Sequence, residues 1–178
     1  TVVIGVGNLG KEVIAQLASD LHGRFGESLP DNIRLLQVDV QPYTDESSIA
    51  VPSGITHDQW VLMRPKLDEM LKALREKPEE FARWNWMDAA NSAGYGGRCL
   101  GRMALHFDLK NGTTDSRLWP KLERALLGLT NPTICIVGST FDNVSSGMLV
   151  DLARIVQIAA VQDHQIQFWL CPFTPGLG

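Results

Sequence analysis

The stretch Val2-Val-Ile-Gly-Val-Gly-Asn-Leu-Gly-Lys-Glu-Val-Ile14 decides the fold. Its first residues form a short β-branched run, Val2 to Gly5, that turns through glycines into a helical pattern with Val13, Ile14, Leu17 and Leu21 on one stripe. This is strand, glycine loop, helix. Outward from it, Ile33 to Val40 forms a second, mostly buried strand, and the polar, breaker-rich segment 42–54 forms a loop. From Asp58 to Lys77, the apolar residues Leu62, Leu67, Met70, Leu71 and Leu74 recur at helical intervals and predict a surface helix, with Pro65 in its first turn or at a kink. Helical spacing continues over Leu100 to Phe107 and over Leu118 to Leu127. After Pro132 comes the strand Thr133 to Val137, then a helix from about Met148 carrying Leu149, Leu152, Ile155, Val156 and Ala159, and a last strand, Ile166 to Cys171. Strands alternating with helices predict an α/β domain of Rossmann-like type, a parallel sheet with helices on both faces.

The totals fit that reading. A chain of 178 residues with 44% hydrophobic content fits a single domain, 1–178, with enough apolar material to bury a core. The formal net charge of -4 provides no basic field for nucleic acid or anionic lipid, so neither is expected as a partner. No apolar run reaches the ~18 residues of a membrane helix. Cys99, Cys135 and Cys171 are odd in number, widely spaced and next to apolar runs, the pattern of buried thiols in a reducing, cytoplasmic setting without disulfide or zinc. The chain opens directly on an apolar run and stops at Pro175-Gly-Leu-Gly178, and on that ground it is expected to be a piece of something longer.

Three loops fall where strands run into helices, the edge at which parallel sheets hold ligands. The first is Gly5-Val-Gly-Asn-Leu-Gly10, in which missing side chains let backbone amides approach a diphosphate, although such a loop also serves packing alone. The second is Gly94-Tyr-Gly-Gly-Arg98, a glycine nest with charge from Arg98 or Arg102, or equally a turn capped by a solvated arginine. The third runs from Ser139 to Gly147, where Ser145 or Ser146 is available for a phosphate or for capping the next helix.

Taken in order, these segments resemble the bacterial tubulin-like and FtsZ-like family. Gly5 to Val13 is similar to its first phosphate loop, Leu35-Leu-Gln-Val-Asp39 to its second strand, Gly94 to Leu105 to its third loop and following helix, and Gly138-Ser-Thr with Ser146 to Ala153 to its signature loop and helix. The resemblance spans nearly the whole chain and covers the nucleotide-binding part of such a protein. It implies GTP or GDP, with magnesium, along the sheet edge, and self-association, or association with related subunits, into filaments or a larger complex. The residues it nominates are Gly7, Asn8, Leu9 and Gly10 in the first loop, Gly96, Gly97 and Arg98 in the second, and Ser145, Ser146 and Gly147 in the third. The acidic loop with which the family activates water lies in a later part of its chain and has no counterpart here, so efficient GTP hydrolysis by this segment alone is not expected.

The third loop departs from the family's GGTGSG signature. Its matching positions are Asp142, Asn143, Val144, Ser145, Ser146 and Gly147, of which only the last two keep the type. Val144 and Asp142 are poor substitutes where amides must reach a phosphate unobstructed. At ~5 Å and an effective dielectric of ~20, a carboxylate opposes a phosphate charge by roughly 3 kcal/mol. A bridging magnesium ion reverses that sign if Asp142 points inward.

Two other readings stay open. A dinucleotide-binding dehydrogenase domain matches Gly5, Gly7 and Gly10, with Asp39 for a ribose hydroxyl, but Asp39 follows Gly10 by 29 residues where ~20 is usual. A nucleotide-free tubulin-fold scaffold suits the altered third loop, with Trp60, Trp84, Trp86 and Trp119 as interface anchors or, equally, as core residues. His22, His57, His106 and His164 show no metal-ligand spacing, no serine sits in a nucleophile elbow, and no catalytic residue is nominated.

Overall fold

A computed structural model describes residues 1–26, 30–40, 56, 58–63, 72, 76, 99–110, 112–160 and 165–171. In chain order these form β1 (Val2–Val6), α1 (Gly7–Phe25), β2 (Arg34–Val40), β3 (Trp60–Met63), α2 (Cys99–Leu109), α3 (Leu118–Leu126), β4 (Thr133–Ser139), α4 (Asn143–Ala159) and β5 (Gln165–Cys171). The strands make one parallel sheet in the order β3-β2-β1-β4-β5. The chain thus builds outward from β1 in one direction through β2 and β3, then returns to the other side of β1 for β4 and β5. The order reverses between β1 and β4.

Alternation along the central strands sorts side chains to two faces. Val2, Ile4 and Val6 of β1, Leu36, Val38 and Val40 of β2, and Ile134 and Ile136 of β4 share a core with Leu105 of α2, Leu118 and Leu122 of α3, and Met148, Leu149, Leu152 and Val156 of α4. On the opposite face Leu35 packs with Ile14 and Leu21 of α1, with Val3, Leu17 and Trp60 at the margin. Helices therefore cover both faces, as the alternation predicts for a generic Rossmann-like arrangement. Among the described residues, no helix is long and apolar enough to cross a membrane.

Three expectations change. The surface helix read over Asp58 to Lys77 does not begin there, because Trp60–Met63 is a strand in parallel register with Gln37 to Val40 of β2. Val61 and Met63 are buried while Leu62 is half-exposed, the period of two that a strand requires. Leu62 had matched the helical spacing by coincidence. The helix expected from Met148 begins five residues earlier, at Asn143, and the first begins at Gly7, so much of two supposed loops is the opening turn of a helix. Finally, Cys135 is only partly buried; it is a free thiol whose pKa is raised by desolvation.

The edge strand is testable by substitution. Val61→Asp buries a carboxylate against the main core and should cost about 3 kcal/mol or more, whereas Leu62→Asp should be much milder. Urea unfolding of the two variants checks the order, and a reversed order would restore the helix.

Candidate functional site

At the carboxyl ends of β1 and β4, where the strand order reverses, the first turns of α1 and α4 meet. Open α/β sheets place ligands at this kind of crevice. The two helices lie on opposite faces of the sheet, but their N-termini converge on one side chain, the carboxylate of Asp142.

Asp142 is the N-cap of α4, with extended backbone, and its Oδ1 accepts the N–H groups of Val144 at 2.7 Å and Ser145 at 3.0 Å. Aspartate is a preferred residue at this position because its oxygen satisfies amides that the helix leaves unpaired. The other oxygen, Oδ2, accepts the N–H of Asn8 at 3.0 Å, in the first turn of α1. Val6, the N-cap of α1, gives that helix no side-chain cap, so Asp142, 134 positions beyond Asn8, supplies one.

Gly7 makes this approach possible. Its φ of +66° lies in the left-handed region, and a Cβ there would stand 2.8 Å from Asp142 Oδ2. One peptide further into the fold, Gly5 and Gly10 pack backbone against backbone: a Cβ on Gly10 would lie 2.5 Å from the Gly5 carbonyl carbon. The first and third glycines of the loop thus serve close helix-on-strand packing, and the second lets an anion reach the helix end.

Gln37, fully buried in β2, was not singled out from the sequence. Its Nε2 donates to the carbonyl of Gly7 at 3.1 Å, while its Oε1 is buried with no hydrogen-bond partner. The Gly7 carbonyl and the Asn8 N–H belong to one peptide unit. With its carbonyl held inward by Gln37, that unit turns its N–H outward to Asp142. A polar residue within an apolar strand was the only sequence signal for this contact.

Asn8 is exposed, Leu9 half-buried and Gly10 buried. Ser145 is fully buried: its Oγ accepts the N–H of Ser139 at 2.9 Å and donates to the Ser139 carbonyl, tying the end of β4 to α4. Its side chain is therefore engaged in structure. Ser146 keeps a buried hydroxyl without a hydrogen-bond partner, and Gly147 lies inside α4. Gly96, Gly97 and Arg98, with Trp84 and Trp86, lie outside the described residues. Arg102, the alternative source of charge, binds Asp151 of α4 at 2.6 Å. Of the other two tryptophans considered as interface anchors, Trp60 packs against the α1-side core and Trp119 donates from Nε1 to Glu123 at 2.7 Å.

Asp39, next to last in β2, lies beside this junction. Burial pushes its carboxyl above the ordinary 3.8; the Val40 N–H, which it accepts at 2.8 Å, works against the rise, the charge of Asp142 adds to it, and Lys11 opposes it. Among the described residues, no group of three or more His, Cys, Asp or Glu side chains is gathered to hold a metal ion. A magnesium ion here would depend on phosphate and water oxygens for most of its ligands.

No protein-family model, curated protein or solved structure matches the chain significantly. What stands is the fold, an α/β domain of the Rossmann-like, nucleotide-binding type, with an anionic group held at its strand-order reversal.

Two measurements test this geometry. Ser145→Ala leaves the Ser139 N–H buried without a partner and should lower stability by about 1–3 kcal/mol with no ligand present, read by urea unfolding. For Asp39, a folded-state pKa above the unfolded one means that the native protein holds the proton more tightly, so stability falls as pH rises from about 3.8 through the raised value. Wild type should therefore lose stability relative to Asp39→Asn across that window. A difference independent of pH would mean that the Asp39 carboxyl is hydrated in the fold.

Proposed function

We propose that this chain is the nucleotide-site domain of a tubulin/FtsZ-like assembly protein, one whose sheet edge receives the phosphates of a guanine nucleotide in competition with the chain's own Asp142. The observation that carries the reading is the convergence of two helix N-termini on a single carboxylate at the strand-order reversal. That point stabilises negative charge by backbone alone: three N–H groups and two helix ends, each equivalent to roughly half a positive charge. A phosphate makes the same demands. The order of glycine-rich segments along the chain supports the tubulin/FtsZ-like form of the fold over a dehydrogenase, for which Asp39 is badly spaced and partly buried.

Function in this reading is assembly, with nucleotide as a weakly held modulator. The domain takes a guanine nucleotide, with magnesium bridging phosphate oxygens, and associates with copies of itself or with related subunits. A specific observation favours a second reading, a nucleotide-free scaffold subunit: Asp142 already satisfies the amides that a phosphate would use.

Calorimetric titration of the protein with GTP, GDP, ATP and NADH, each with magnesium, separates these readings when paired with sedimentation at several protein concentrations. Weak, saturable binding of GTP and GDP alone, with concentration-dependent assembly, is the expected result. Silence with all four ligands from a protein that still assembles would assign the scaffold role. Saturation by NADH would overturn both.

A further inference from the structure

The contact between Asp142 and Asn8 is more than a helix cap. An N-cap needs the amides of its own helix, and Asp142 has those through Val144 and Ser145. The bond from Asn8 crosses from one face of the sheet to the other and consumes the outward N–H of the glycine loop. The loop is also preset independently of Asp142. Gln37, fully buried, holds the Gly7 carbonyl from beneath, so the Asn8 N–H remains aimed at the same point whether or not a carboxylate fills it. Gly7 meanwhile leaves a gap that any side chain would close; in the structure Asp142 Oδ2 stands in it.

We propose that Asp142 is a built-in competitor for the phosphate position, an autoinhibitory contact: its carboxylate bridges α1 and α4, and a diphosphate group enters only as that bridge opens. The inference rests on the nucleotide-site reading above and specifies how that site is regulated. Opening requires only a change in the Asp142 side chain and the bond to Asn8, since the cap on α4 can be retained by a smaller acceptor. Serine at position 142 is such an acceptor. It caps a helix well, carries no charge and is too short to bridge to the other helix. Glycine at the same position matches the family's signature and removes the side chain entirely.

The test titrates wild type, Asp142→Ser and Asp142→Gly with inorganic pyrophosphate and with GDP, each with magnesium, after thermal melts have established that each variant is folded. Asp142→Ser should bind pyrophosphate about tenfold or more tightly than wild type, because a repelling charge and an intramolecular competitor are lost together. If Asp142→Gly fails to fold, Asp142→Ser still decides the matter. Folded variants that bind pyrophosphate no better than wild type overturn the proposal. Equal, tight GDP binding by wild type and Asp142→Ser also overturns it while leaving the nucleotide reading intact. Tightened pyrophosphate binding without any GDP preference supports the autoinhibitory contact and counts against guanine nucleotide as the natural ligand.

Discussion

Three backbone N–H groups from two helices end on the carboxylate of Asp142, and the organisation of the sheet edge depends on that meeting. Helix N-termini carry unpaired donors and a partial positive charge, and two of them brought together repel unless an anion lies between. The parallel topology forces the approach. With β1 and β4 adjacent and the connections leaving to opposite faces, the starts of α1 and α4 have nowhere else to go. A carboxylate placed between them turns a local repulsion into a brace. That brace also fixes how α4 enters the core, since Met148, Leu149 and Leu152, all buried, follow within ten residues of the cap.

Beneath the brace lies a second polar layer with a different logic. Gln37 donates to the Gly7 carbonyl at the start of α1, and does so from a fully buried position in β2. Its Oε1 is buried with no hydrogen-bond partner, so the amide is committed to the loop through its Nε2. Ser145 performs the equivalent task on the β4 side, where its hydroxyl engages both backbone groups of Ser139. The two contacts stiffen the two loops from below and behind. By comparison, the Arg102–Asp151 pair between α2 and α4 is partly exposed and contributes little stability of its own, but it draws the arginine to the flank of α4.

Most of the architecture was legible because it rests on periodicity. β1, β2, β4 and β5 are apolar or alternating runs, and α2 and α3 carry clear helical stripes, so their order and type followed from the residues. β3 was hidden because four residues cannot distinguish a period of two from one of 3.6 when a helical pattern continues beyond them. Helix starts were displaced for a different reason. Val6 carries no capping signal, and Asp142 was weighed for its charge against a phosphate when its position as an acceptor three residues before Ser145 also marks a helix start. Gln37 was invisible as a participant, since its partner lies 30 residues away and the pairing exists only once β1 and β2 are in register. Local chemistry can be read along a chain; convergence of distant backbone groups on one side chain cannot.

The bridging geometry changes what the charge of Asp142 does. Treated as a point charge near a phosphate, Asp142 only weakens binding, by the roughly 3 kcal/mol that Coulomb's law assigns at ~5 Å. As a bridging group it does more, because it competes for the same donors as a tethered ligand whose effective concentration is set by a short chain segment and does not dilute. An external anion must therefore exceed that standing occupancy before its own contacts count. A nucleotide has the means to do so, through additional phosphate oxygens, a base and a ribose, whereas a lone phosphate has little beyond the contact that the carboxylate already makes. Under the proposed nucleotide-site reading, a carboxylate at this junction therefore discriminates against small anions more than against large ones.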